Sequence, residues 1–310
     1  MRRLLIPAII LVVAFIVWAI QSNYEKKRIS GVTIENFLNL EPSQINRMVI
    51  TTPSDVFEFK KDDPVWFMKG ESRWQMADMV VIANVIKTAA SISVDKPFSE
   101  NPDQQELFKV DTANGILAQF FKDDSLLASI IIGKLTNDNA HTYIRKPGSN
   151  QVYTSDKILT FAFDRSRTQW LDKTIFAVNP KIVKAVELRH ARKTFRIALS
   201  DSTWYLSKKP YSDSLPADTS KVITFLRNLC YLRGSDFSNL SDSGLINFDK
   251  PSLKISISTS DSTVETADFS EIIDDENGRY YVRRPERMDT LVISKPIYDN
   301  IALDFAGFLP

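Results

Sequence analysis

Val56-Phe57-Glu58-Phe59-Lys60 followed by Val65-Trp66-Phe67-Met68 returns 138 positions later as Thr194-Phe195-Arg196-Ile197 followed by Trp204-Tyr205-Leu206. Each segment alternates between apolar and polar residues, the period of a strand with one buried face. The turn Lys61-Asp62-Asp63-Pro64 separates the first pair, so the stretch reads as adjacent antiparallel strands. The offset continues. Asp111 maps to Asp249, Tyr143 to Tyr281, Arg145 to Arg283 and Pro147 to Pro285, and roughly residues 45–160 fall on 182–301. The matched positions are mainly apolar, aromatic or turn residues, so the duplication is of a fold, and active-site chemistry has to be sought outside it.

Working outward, Met48 and Ile50 predict a strand before the quoted stretch, as do Val186 and Leu188 in the second copy. A helix follows in each unit. Asp78 and Asp218 stand at its N-cap, where a carboxylate accepts hydrogen bonds from free first-turn N–H groups. Ile82, Val85, Ile86, Ala89 and Ala90 then form one apolar stripe, answered by Val222, Phe225, Leu226, Leu229 and Cys230 at a shift of 140. The two extra residues are expected between strand and helix. Further strands are expected at 116–121, 127–132, 141–145 and 151–153, and at 253–257, 264–269, 280–284 and 290–293. Asp138-Asn139, Gly148-Ser149-Asn150 and Glu276-Asn277-Gly278 supply turn chemistry, and short helices near 156–163 and 295–302 close the units. Strands outnumber helices and adjoin through short turns. The expected class is α+β: two tandem, mainly antiparallel sheet-plus-helix units, 45–175 and 176–310, after a linker at 29–44 and an N-terminal transmembrane segment within 1–28.

That segment is uncharged from Leu4 to Ile20, 17 residues, the short end of what spans a bilayer. Trp18 suits a headgroup region. Trp18-Ala19-Ile20-Gln21-Ser22 is a poor cleavage site, which favours a retained anchor over a signal peptide. Basic residues flank both ends, so orientation rests on the tendency of long domains to translocate regardless of charge. The expectation is a single-pass inner-membrane protein with a periplasmic body. Net charge is +1 overall; residues 1–28 contribute +4, leaving −3 for the remainder. A near-neutral body argues against nucleic acid as a partner.

Candidate chemistry is sparse. His141 and His190 have no ligand-spaced partner and are not duplicated as histidine, which favours surface or strand positions. Cys230, the single cysteine, falls on the apolar stripe and reads as core rather than nucleophile. Asp274, Asp275 and Glu276 could bind calcium, but EF-hand spacing is absent and a solvated hairpin tip explains them better. Asp111 and Asp249 suit Asx-type turns better than a carboxylate pair. Ile130-Ile131-Ile132-Gly133-Lys134 lacks the spaced glycines of a phosphate loop. Trp66 and Trp204 read as core, whereas Trp74 and Trp170 are less constrained and could line a sugar- or lipid-binding cleft. No catalytic, cofactor-binding or metal-ligating residue is assigned.

The order of these motifs resembles a bacterial family of tandem domains, the domain-of-unknown-function family 4340. The resemblance rests on Val56–Phe59, Trp66, Ala77-Asp78, Ala217-Asp218, Gly244-Leu245 with Asp249-Lys250-Pro251, Ile132-Gly133, Tyr143-Ile144 and Val152-Tyr153. Trp170-Leu171-Asp172-Lys173 resembles the segment joining the halves. Phe108-Lys109-Val110-Asp111 departs by lacking the Gly-Leu and the Pro, and Phe269-Ser270 replaces Ile-Gly in the second unit. The resemblance implies a membrane-anchored protein associated with ABC-type export or gliding-motility components, and it transfers no catalytic residue. The function expected is a non-enzymatic accessory or assembly module. A periplasmic lipid or glycan carrier is the alternative, and an enzyme the third reading.

Overall fold

The computed structural model describes residues 33–191, 193–238, 246, 248–270, 278–287 and 289–310. The chain divides into two compact units between Leu171 and Asp172.

The first unit contains β1 (Arg47–Thr51), β2 (Val56–Asp62), β3 (Val65–Lys69) and β4 (Trp74–Met76), then helix α1 (Met79–Ala90). Strands β5 (Ile116–Lys122), β6 (Ser125–Leu135), β7 (Thr142–Arg145) and β8 (Val152–Thr154) follow, and the short helices α2 (Thr160–Phe163) and α3 (Arg167–Trp170) end it. The sheet order is β4-β3-β2-β1-β5-β6-β7-β8, and every pairing is antiparallel. Two meanders thus run outward from the central pair β1 and β5, and α1 is part of the crossover from the β4 edge to the centre.

The second unit repeats this plan. It contains β9 (Val183–His190), β10 (Thr194–Ser200), β11 (Thr203–Lys208), β12 (Ser214–Pro216), helix α4 (Thr219–Cys230) and β13 (Asp236–Phe237). Then come β14 (Leu253–Thr259), β15 (Val264–Phe269), β16 (Arg279–Arg283), β17 (Thr290–Ser294), helix α5 (Lys295–Ile301) and a 3-10 turn at Phe305–Phe308. Among the described residues the order is β12-β11-β10-β9-β14-β15-β16-β17-β13, the same order with one added edge strand.

The register repeats as well as the order. Phe57 faces Ile50 and Phe195 faces Leu188; Trp66 faces Lys61 and Trp204 faces Leu199. Met68 faces Gln75 whereas Leu206 faces Leu215, so the two extra residues lie in the β11–β12 turn, between the Trp204 strand and α4 as expected. A tight strand pair can lengthen its turn without disturbing its register, so the sheet absorbs the insertion. Strands β4, β12 and β13 are too short, at two or three residues, to show a period in the sequence. The closing helix expected across 156–163 covers only Thr160–Phe163.

One face of each sheet carries the core. In the first unit Met48, Ile50, Phe57, Phe59, Trp66 and Met68 are buried, and α1 buries Ile82, Val85, Ile86 and Ala89. In the second, α4 buries Val222, Phe225, Leu226, Leu229 and Cys230 within a cluster that includes Leu188, Phe195, Ile197, Leu206 and Phe269. Asp78 Oδ1 accepts hydrogen bonds from the N–H groups of Val80 and Val81 at 2.9 and 3.2 Å. Asp218 Oδ1 does the same with Ser220 and Lys221 at 2.8 and 3.0 Å.

The first unit has a second, smaller core of Phe108, Val110, Ile131, Tyr143 and Val152, with Leu117 against it. Leu117 and Ile131 pair across β5 and β6, between neighbours that belong to the main core face, so this cluster covers the opposite face. Covering both faces explains the unbroken buried run Ile130-Ile131-Ile132-Gly133. That run is strand interior. Among the described residues no helix is long and apolar enough to cross a membrane. The expected anchor at residues 4–20 and the acidic tip Asp274-Asp275-Glu276 lie outside the described residues.

Candidate functional site

His141 follows the β6–β7 turn. Its Nδ1 lies 2.8 Å from the carbonyl oxygen of Ser155, so Nδ1 carries the proton and donates it. Its Nε2 lies 3.8 Å from Asp138 Oδ2. His190 ends β9, stacks on Phe195 with ring centroids 6.0 Å apart, and directs Nε2 at the carbonyl of Leu303, 3.3 Å away. Both rings are held by backbone carbonyls. Among the described residues no group of three or more His, Cys, Asp or Glu is arranged to hold a metal ion.

Cys230 is fully buried on α4. Burial, reinforced by the charge of Glu265, pushes its thiol up to about 11. A thiol so seldom ionised is a poor nucleophile near neutral pH. Asp111 Oδ1 accepts from the N–H groups of Ala113 and Asn114 at 2.8 and 3.0 Å, an Asx turn. Burial alone would raise its carboxyl, but the bonds from Asn114 and from these backbone groups outweigh it and hold it below the usual range. Asp249 lines a recess of about 350 Å³ together with Arg189, His190, Lys254 and Asp268. Asp268 is nearly buried between Lys254 and Arg283, at 3.4 and 3.3 Å.

Trp66 and Trp204 are buried, as the pattern predicts. Trp170 is fully buried as well; its ring lies 6.0 Å from that of Phe57 and 5.1 Å from that of Phe59. It therefore offers no stacking platform. Trp74 sits on β4 with Lys60 Nζ 4.4 Å from its ring centroid, a cation–π contact on the sheet face away from the core.

A concavity lies in the second unit. It is an open groove of about 610 Å³ between the β9–β10 turn, the end of β11 and the Phe305–Phe308 turn. Lys193, Thr194, Phe195, Lys208, Lys209 and Phe305 line it, with Asp304 at its edge. Lys208 Nζ lies 4.6 Å from the Phe305 ring centroid. The lining residues span more than a hundred positions of sequence. Only the fold assembles them, and no local motif marks them.

The model of the family described as domain of unknown function (DUF4340) matches residues 66–251, from the Trp66 strand to Asp249-Lys250-Pro251. The chain belongs to this family. The DUF4340 match straddles the boundary between the units, beginning in β3 of the first and ending just before β14 of the second. It includes Lys193, Lys208 and Lys209 of the groove but not Phe305. No curated protein matches the chain.

Proposed function

We propose that this DUF4340 protein is a non-enzymatic, single-pass membrane-anchored module that serves an envelope complex, such as an ABC-type export or gliding system, as an accessory or assembly part. Its body stands on the periplasmic side of the inner membrane. The observation that carries this reading is what the duplication preserved. Phe57 and Phe195, Trp66 and Trp204, Asp78 and Asp218, and the two helix stripes are core and capping residues. A duplication that retains mainly packing, turn and capping residues enlarges the surface available for binding or scaffolding. The uncharged residues 4–20 supply the tether.

The test is isolation of the full chain from membranes in mild detergent, with and without chemical crosslinking, followed by identification of what accompanies it. Recovery in stoichiometric association with a transporter subunit is expected. Recovery as a free monomer under both conditions would count against the assembly role.

A further inference from the structure

We propose that the groove of the second unit binds an organic anion, a phosphate or carboxylate carried on an apolar stem, and that the equivalent place in the first unit is closed by its own side chains. The comparison of the two units makes the case. Asp78 N–H bonds the Trp170 carbonyl and Asp218 N–H bonds the Phe308 carbonyl, at 2.8 and 2.9 Å. This aligns Arg167–Trp170 with Phe305–Phe308 at the offset of the repeat. Arg167 therefore corresponds to Phe305, Phe57 to Phe195, and Asp55 to Lys193.

In the second unit the Phe305 ring packs on Phe195 with centroids 5.8 Å apart, and in the first unit the corresponding place is taken by Arg167. Its guanidinium lies 5.4 Å from the Phe57 ring centroid, bonds both carboxylate oxygens of Asp55 at 3.2 and 3.3 Å, and bonds the Lys69 carbonyl at 3.1 Å. Cation and anion are matched within the unit. In the second unit both partners are replaced: the acid becomes Lys193 and the guanidinium becomes the ring of Phe305. The longer β11–β12 turn adds Lys209 beside Lys208. What was a closed ion pair becomes an open groove with three ammonium groups, one carboxylate at Asp304 and an aromatic wall. Among the described residues no carboxylate forms an ion pair with Lys193, Lys208 or Lys209. The groove volume of about 610 Å³ lies in the range of small-molecule sites. Ammonium groups supply attraction for the anionic head, and Phe305 with the edge of Phe195 supplies apolar contact for the stem.

The proposal does not depend on the assembly role, because a chain with no transporter partner can still fill the groove. It is tested on the full chain in nonionic detergent by calorimetric titration with phenyl phosphate, inorganic phosphate and dihexanoyl phosphatidic acid below its micellar concentration. Saturable binding of phenyl phosphate or of dihexanoyl phosphatidic acid is expected, the first alone pointing to a soluble ligand and the second alone to a lipid headgroup. Lys208→Gln with Lys209→Gln, two exposed positions, is expected to weaken binding by about tenfold or more. Lys193→Asp with Phe305→Arg transplants the closing pair and is expected to abolish it while circular dichroism stays unchanged. No saturable binding of either organic probe, or binding that both variants leave intact, overturns the proposal. Inorganic phosphate binding as tightly as phenyl phosphate overturns the apolar half of it.

Discussion

Gly133 stands on β6 where a side chain has no room. A Cβ there would lie 2.3 Å from the Phe108 carbonyl oxygen and 2.7 Å from Val110 Cγ1. The segment carrying Phe108 and Val110 lies against the strand at this point. The Lys134 N–H bonds the Phe108 carbonyl at 3.1 Å, and the buried Arg145 Nε donates to the Val110 carbonyl at 2.8 Å. Gly133→Ala should therefore destabilise the protein by about 1–3 kcal/mol through overpacking, measurable as a fall in the denaturant midpoint. An unchanged midpoint would mean the segment is loosely held. Cys230 supports a pH prediction. Its ordinary thiol value near 9 rises to about 11 in the fold, because burial penalises the thiolate. The unfolded chain therefore loses this proton first, and stability present below pH 9 drains away as pH climbs toward about 11. The Cys230→Ala variant should show a shallower decline over that window in thermal melts. Equal slopes would place the alkaline sensitivity elsewhere.

At the scale of elements, the two helices have the same cap geometry on different sequences. α1 reads Met-Val-Val-Ile, α4 reads Thr-Ser-Lys-Val, and only the aspartate and the apolar stripe are shared. Asp78→Ala and Asp218→Ala should each cost about 1 kcal/mol, read as a loss in urea midpoint; a serine at either position should restore most of it. Short elements were less legible. β4 and β12 pair with β3 and β11 over three residues each, and their pairing is fixed by the neighbouring strand rather than by their own sequence. The 156–163 segment is helical only at Thr160–Phe163. Its first part is a bend rather than a helix: Ser93 and Asp156 exchange hydrogen bonds, and Thr142 Oγ1 accepts the Leu159 N–H at 2.9 Å.

For the whole molecule, the duplication extends from side-chain pattern to strand order and register. The second unit adds anchoring of its own. Arg287 donates to the Asp172 carboxylate at 2.8 Å and to the Asp172 carbonyl at 2.7 Å, tying the first residues of the unit to the segment before β17. This explains why Asp172-Lys173-Thr174 belongs with the second half. The sequence by itself determined the repeat, the antiparallel α+β class, the caps, the core faces and the family. All of these rest on local period or on the comparison of one copy with the other, which a linear chain displays directly. Only the tertiary structure decided that Trp170 is core, that the Ile130–Gly133 run is covered on both faces, and that Arg167 pairs with Asp55 over Phe57 in one unit where Phe305 packs on Phe195 beside three lysines in the other. Those outcomes depend on contacts between different elements, some 35 positions apart and others 112, where packing and charge pairing act between elements whose order in the chain does not disclose their contacts.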